Sequence, residues 1–204
     1  MVEDVYNIFM IKIGIVGGIG SGKSFIAKLF NSPVFNADKE VNYLYKKSRN
    51  CFTKLKNQIP KFVKSFPISK KELIAAINYN NQNLKKISLI VHPLVRKKMS
   101  TFLKKNKKNK IVVLDVPLLV ENKLYKKDYI LVFVNSKKSK VIKRLKKRKN
   151  YNANILKKLK ENQVMLSKKR KLAKYIVDNN YSPNIMKKKI KILKKTILNE
   201  RNST

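Results

Sequence analysis

The apolar residues of this chain fall into two patterns. Unbroken runs at "IKIGIV" (11–16), "IVVLDV" (111–116) and "YILVFV" (129–134), with shorter ones at "PVFN" (33–36) and "YIVD" (175–178), read as strands covered on both faces of a parallel sheet. Elsewhere apolar residues recur three and four apart and predict helices. One begins near Lys23, and another, from about Ala37, opens a helix-rich region that runs to about Lys105. A third ends at about Arg148, with Val141, Ile142 and Leu145 on one face. A basic segment follows over 153–173, and a last helix over 184–198 carries Ile185, Met186, Ile190, Leu193 and Ile197. Local signals sharpen the ends. Ser69 with Glu72 makes a capping box for "KKELIAAI", Asn135 or Ser136 caps the helix after "YILVFV", and "NKKNK" (106–110) is a turn. "HPL" (92–94) restarts a helix with Pro93 in its first turn. Strands alternating with helices predict an α/β fold, a parallel sheet with helices on both faces, in a single domain without internal repeat or interdomain linker.

Composition narrows this reading. The 204 residues are enough for a real core, and the 43% of hydrophobic residues are spread along the chain, which argues against disorder. A single cysteine, Cys51, forms no internal disulfide and fits a reducing compartment. No apolar run approaches the roughly 20 residues of a membrane span. The start "MVEDVYNIFM" is acidic where a signal peptide is basic, so a cytoplasmic protein is expected, and Met10 is an alternative start that would make 1–9 an extension.

The formal charge of +39 predicts attraction to polyanions of any kind and does not choose among them. Lysines supply nearly all of it and are scattered over almost every predicted helix, as an A/T-rich coding bias would produce, so no specific nucleic-acid partner is expected. The six arginines are more informative. A planar guanidinium grips phosphate in a way that an ammonium does not.

Between the first strand and the first helix lies Gly17-Gly18-Ile19-Gly20-Ser21-Gly22-Lys23-Ser24, which satisfies G-x-x-x-x-G-K-[ST] in the required setting. Glycines let the backbone wrap a phosphate chain with N–H groups turned inward at the positive end of a helix. Lys23 reaches the β- and γ-phosphates, and the Ser24 hydroxyl binds Mg²⁺. A dinucleotide loop read from Gly18 would need glycine at 23, where Lys23 stands. All five glycines lie between residues 14 and 22, which excludes the later D-x-x-G switch of a GTPase and the downstream Gly-rich signature of a transporter ATPase. A small-molecule kinase remains the simplest choice.

Further candidates sit at strand ends and on one helix. Asp38 follows the second strand and can orient or deprotonate an acceptor hydroxyl, or else N-cap the helix that begins there. Asp115 ends the third strand, where a carboxylate reaches Mg²⁺ directly or through water. Arg144 and Arg148 share a helix face and can neutralise the transferred phosphoryl group from the base of a lid, with a solvated face as the plain alternative. His92, the single histidine, reads equally as structural.

Together, "GGIGSGKS" (17–24), "AD" (37–38), "HPLVR" (92–96), "DVPLLVENKLY" (115–125), Arg144 with Arg148, Gln163 and "YIVDNN" (175–180) resemble the dephospho-CoA kinase family nearly end to end. The resemblance implies ATP-dependent phosphorylation of the ribose 3′-hydroxyl of dephospho-CoA with Mg²⁺. It implies a P-loop kinase core (10–36, 110–143, 174–204), an inserted helical CoA domain (37–109) and a helical lid (144–173). On this resemblance Gly18, Ile19, Gly20, Ser21, Gly22, Lys23, Ser24 and Phe25 hold ATP, with "DNN" including Asn179 near the adenine. Lys23, Asp38, Arg144 and Arg148 are the catalytic set. His92, Arg96, Pro117, Leu118 and Glu121 join Asp38 at the acceptor, and Pro93 helps shape that site. A monomer acting on two small molecules is expected. Asn36 stands where the family often has Asp, and Lys149 where Asp is usual after the lid arginine. The main rivals are a nucleoside or nucleotide kinase of the same fold and a nucleic-acid-binding ATPase.

Overall fold

The computed structural model describes residues 10–125, 128–147, 151–161 and 163–202. In chain order these form β1 (Ile11–Gly17), α1 (Lys23–Leu29), β2 (Val34–Asn36), α2 (Ala37–Lys47), α3 (Arg49–Gln58), α4 (Lys70–Tyr79) and α5 (Asn81–Lys105). There follow β3 (Ile111–Asp115), β4 (Tyr129–Asn135), α6 (Lys138–Lys146), α7 (Ala153–Glu161), α8 (Leu166–Leu172), β5 (Tyr175–Asp178) and α9 (Pro183–Asn202). The chain divides into two compact units, one of residues 1–35, 105–151 and 162–204, the other of 36–104 and 152–161.

The first unit is built on the parallel sheet, in the order β2-β3-β1-β4-β5. β1 lies between β3 (Ile11 beside Ile111, Gly14 beside Leu114) and β4 (Lys12 beside Tyr129, Gly17 beside Val134), so the strand that feeds the glycine loop is the central one. One sheet face carries Ile11, Ile13, Ile15, Val113, Val132, Val134 and Val177, packed on Ile26 and Ala27 of α1, on Phe30 at its C-cap and on Met186, Ile190 and Ile197 of α9. These side chains, each up to about 3 kcal/mol when fully buried, are the main stabilisation of the unit. On the other face the Leu119 and Leu131 side chains press onto Gly14, where a Cβ would stand 2.5 Å from Leu119 Cδ2.

The second unit is helical and its elements announce themselves locally. Asn36 Oδ1 caps α2 through the Lys39 N–H at 2.8 Å, Ser48 caps α3 through the Cys51 N–H, and Ser69 with Glu72 forms the expected capping box on α4. Asp38 is therefore not the cap of α2. It stands inside the first turn, with its carboxylate at the positive end of the helix.

Two expectations need correction. The helix does not restart at "HPL": α5 runs unbroken for 25 residues through Pro93. Proline removes one helical hydrogen bond and costs about 3 kcal/mol in a helix interior. Here the helix survives because Ile87, Val91, Val95 and Met99 bury one continuous face at four-residue spacing, while Leu89, whose carbonyl loses its donor, is 76% exposed to water. Neither Asn135 nor Ser136 caps α6, whose N-cap is Lys137 without a side-chain bond of its own. The Lys137 N–H is met instead by Asn180 Oδ1 at 2.8 Å, and the basic segment 153–173 is two helices, α7 and α8.

Candidate active site

The loop between Gly17 and Lys23 is shaped by its glycines and by what presses on them. Gly20 (φ 81°) and Gly22 (φ 94°) take left-handed backbone conformations that side chains resist. Space is as decisive as φ. A Cβ on Gly20 would meet Leu145 at 2.9 Å and Val141 at 3.0 Å, both from α6, and one on Gly22 would meet Asn179 Nδ2 at 2.1 Å. The loop is held close enough that only hydrogen fits at these positions.

Its backbone is fixed through one carbonyl. Ser21 O accepts from Asn179 Nδ2 at 2.8 Å and from Arg144 Nη1 at 3.1 Å, and lies 3.1 Å from Ser136 Oγ. Arg144 also donates to Ser136 Oγ at 2.8 Å and to the Asn179 carbonyl at 2.9 Å. The turn after β4 and the turn after β5 are thereby tied to the loop. Asn179 is 2% exposed, and Asp178 Oδ1 next to it accepts from Asn135 Nδ2 at 2.6 Å. Ser136, expected as a cap, is part of this network because the loop carbonyl and the guanidinium compete for it more strongly than the start of α6 does.

Lys23 opens α1, with its ammonium turned back over the loop and donating to Gly17 O at 3.1 Å and Gly18 O at 2.9 Å. Ser24 and Phe25 follow on the same turn and are exposed. Ile19 is half-buried. Asp115 ends β3, is 3% exposed, and follows Leu114, the residue in register with Gly14 three positions before the loop. No cluster of three or more potential metal-ligating side chains occurs among the described residues. A hydroxyl at Ser24 and a carboxylate at Asp115 nonetheless suit Mg²⁺, which keeps water and substrate phosphate among its ligands rather than filling its shell from protein.

Past β3, residues 116–124 form a compact series of turns, with Leu119 N–H on Val116 O, Asn122 N–H on Leu118 O and Leu124 N–H on Leu119 O. Pro117 and Leu118 are half-buried there. Glu121 is not free for a ligand on both oxygens: Oε1 stands 2.5 Å from Lys169 Nζ and accepts from the Val164 N–H at 3.2 Å.

In the helical unit, His92 and Arg96 are one turn apart on α5, with Arg96 exposed and His92 half-buried. Burial, and behind it the positive charge of Arg96, holds His92 below the ordinary histidine range, so its imidazole is neutral at pH 7. Arg148 and Lys149 lie outside the described residues. The structure thus gathers Gly20, Ser21, Gly22, Lys23, Arg144 and Asn179 at one loop, while Asp38, His92 and Arg96 belong to the helical unit. Sequence reasoning missed Lys169 and Leu166. Nothing in a chain with lysine on almost every helix marks the one at 169.

Comparison with known proteins agrees with this geometry. A family model described as dephospho-CoA kinase matches residues 11–184. A protein named dephospho-CoA kinase from Wolbachia pipientis wMel is 32% identical over 184 residues, 88% of this chain and 94% of its own. The crystal structure of TT1252 from Thermus thermophilus superposes with a TM-score of 0.75 at 25% identity, covering 94% of this chain and 98% of that one. A dephospho-CoA kinase from Campylobacter jejuni shares the fold with a TM-score of 0.67 at 20% identity, over 93% of this chain and 98% of its own.

Proposed function

The chain belongs to the dephospho-CoA kinase family, and from that premise we propose that it transfers the γ-phosphoryl group of ATP to the ribose 3′-hydroxyl of dephospho-CoA, giving coenzyme A and ADP. The observation that carries the reading is the loop 17–22, seated between the central strand and α1 with Lys23 turned into it.

In this mechanism the loop N–H groups and the start of α1 take the phosphate chain of ATP. The Lys23 ammonium leaves the Gly17 and Gly18 carbonyls for the β- and γ-phosphates. Asp38 accepts the proton of the 3′-hydroxyl as its oxygen bonds to the γ-phosphorus, and the bond to the β–γ bridging oxygen breaks to release ADP. Mg²⁺, when it is bound with ATP, neutralises phosphate charge, and Ser24 with Asp115 are the residues to hold it. His92, Arg96, Pro117 and Leu118 serve the acceptor, with the neutral imidazole as a hydrogen-bonding group and the exposed Arg96 guanidinium for the acceptor's phosphates. Arg148 is assigned to the transferred phosphoryl group on the family resemblance. Arg144 serves the loop, which its three bonds support. The same reading takes the protein to be a cytoplasmic monomer acting on two small polyanions, without a specific nucleic-acid partner. Among the described residues no helix is long and apolar enough to cross a membrane.

The test offers ATP and Mg²⁺ with dephospho-CoA, adenosine, AMP or a single-stranded oligonucleotide, and reads the products by mass spectrometry. A single added phosphate on dephospho-CoA alone is expected, and Asp38→Asn should reduce turnover by about 10²-fold or more while ATP affinity stays. Folded, ATP-bound protein that leaves dephospho-CoA untouched would overturn the assignment. Oligonucleotide-stimulated hydrolysis without product would shift it to a nucleic-acid ATPase.

A further inference from the structure

Lysine covers almost every helix of this protein, yet Lys169 is 1% exposed and, among the described residues, is the one lysine that is buried. Its Nζ stands 2.5 Å from Glu121 Oε1, and the Glu121 side chain is itself only 8% exposed. A buried ammonium is tolerated when it is paired and hydrogen-bonded, and leaving either partner alone in such a place is strongly unfavourable. The pair therefore fixes two segments that are distant in the chain, the turns after β3 and the helix α8.

α8 also packs against β1 and β4. It is seven residues long, below the length at which a helix persists alone, and Leu166 and Leu172 are 51% and 38% exposed. Glu121 Oε1 also takes the Val164 N–H, so the strap that leads into α8 is pinned by the same oxygen. Its first residue, Leu166, reaches the glycine loop: both methyl carbons lie 3.5 Å from the point a Gly18 Cβ would occupy, which is van der Waals contact. Gly20 and Gly22 are backed by α6 and by Asn179, whereas Gly18 is backed by α8. One wall of the phosphate loop is thus fastened in part by a buried ion pair.

We infer that Glu121 and Lys169 form a latch that seats α8 against the loop 17–22, so that both are positioning residues for ATP, with Leu166 as the element that transmits the position to Gly18. This rests on the proposed reading of that loop as the ATP-phosphate site. It also moves Glu121 from a contact with the acceptor to a support of the donor side. Its second oxygen, Oε2, is buried and accepts no hydrogen bond among the described residues.

The experiment measures ATP affinity by calorimetry and KM and kcat for transfer to dephospho-CoA, on the full chain, at a temperature where circular dichroism shows every variant folded. Leu166→Ala is the primary variant, because a half-exposed side chain can be cut with little effect on folding. It should weaken ATP about fivefold with kcat changed less than about twofold. Lys169→Met should weaken ATP about tenfold, and the double variant should be no worse than Lys169→Met, since one latch acts through one contact. Unchanged ATP affinity in folded Leu166→Ala, or losses that simply multiply in the double variant, would overturn the latch. Should Lys169→Met fail to fold, Leu166→Ala decides alone. Wild-type protein that binds no ATP would instead bring down the functional reading, and wild-type protein that binds ATP without phosphorylating dephospho-CoA leaves the latch testable by affinity.

Discussion

The phosphate loop and the helical unit are held by bonds of opposite reach. Side chains that fasten the loop arrive from far along the chain, Ser136 across 115 residues, Arg144 across 123 and Asn179 across 158. In the helical unit the side-chain hydrogen bonds are short-range: Asn36 to Lys39 and Ser48 to Cys51 span three residues, Ser69 to Lys71 spans two, and the Asn83 amide reaches Ala76 O across seven. The loop's shape is a property of the whole sheet. The helices of the second unit are properties of their own ends. Damage should therefore spread differently in the two places, and substitutions can set one against the other.

The strongest expected effect is at the loop. Gly22→Ala meets a left-handed φ and a Cβ position 2.1 Å from Asn179 Nδ2, so either the loop or the turn after β5 must move. ATP affinity and turnover together should fall by about 10²-fold or more, given how steeply catalysis depends on placement. Calorimetric titration with ATP beside a turnover assay checks this, and near wild-type affinity would mean that the loop is not held as tightly as its packing indicates.

Arg144→Lys comes next. One ammonium cannot reproduce a fork that serves Ser21 O, Ser136 Oγ and the Asn179 carbonyl together, and each hydrogen bond to a charged group that is lost costs about 1.5–3 kcal/mol. A loss of about 2 kcal/mol corresponds to a Tm lower by about 4–8 °C in a chain of this size. Thermal unfolding followed alongside ATP affinity should show both falling together, whereas a change in kcat alone would return Arg144 to the transferred phosphoryl group.

The opposite signature is expected at Ser69→Ala. Removing the capping-box hydroxyl should cost about 1 kcal/mol, seen as a Tm shift of about 2–4 °C, with ATP affinity unchanged. A parallel loss of ATP affinity would break the distinction between local and long-range fastening.

The smallest effect concerns pH. His92 is held below its ordinary value by burial and by Arg96, so the folded state binds its proton less readily than the unfolded chain. Its contribution is present above the unfolded pKa of about 6.5 and is lost as pH falls through the lower folded value. Between pH 8 and 5 the Tm of the wild type should fall more than that of His92→Gln. Identical slopes would show that His92 titrates alike in both states.

Legibility followed the same division. The capping box at Ser69 and the glycine loop were readable because each is written in a few adjacent residues. Pro93 misled because the buried stripe that carries the helix through it becomes decisive only when the helix packs. Asn135 and Ser136 had the right chemistry for caps, but the tertiary structure offered them better partners, Asp178 for one and the loop carbonyl with Arg144 for the other. Asn36 showed the reverse, since a residue noted as a departure from the family is the cap of α2.

The sequence by itself determined that this is an α/β protein with a phosphate loop after its first strand, because periodicity, glycine spacing and chain order are local facts. Only the tertiary structure decided which of many lysines is buried against Glu121 and which arginine is tied to the loop. It also decided that the wall behind Gly18 is α8. Identical side chains differ only in what surrounds them, and burial, the desolvation it imposes and the partner that offsets it arise when segments distant in the chain are brought together.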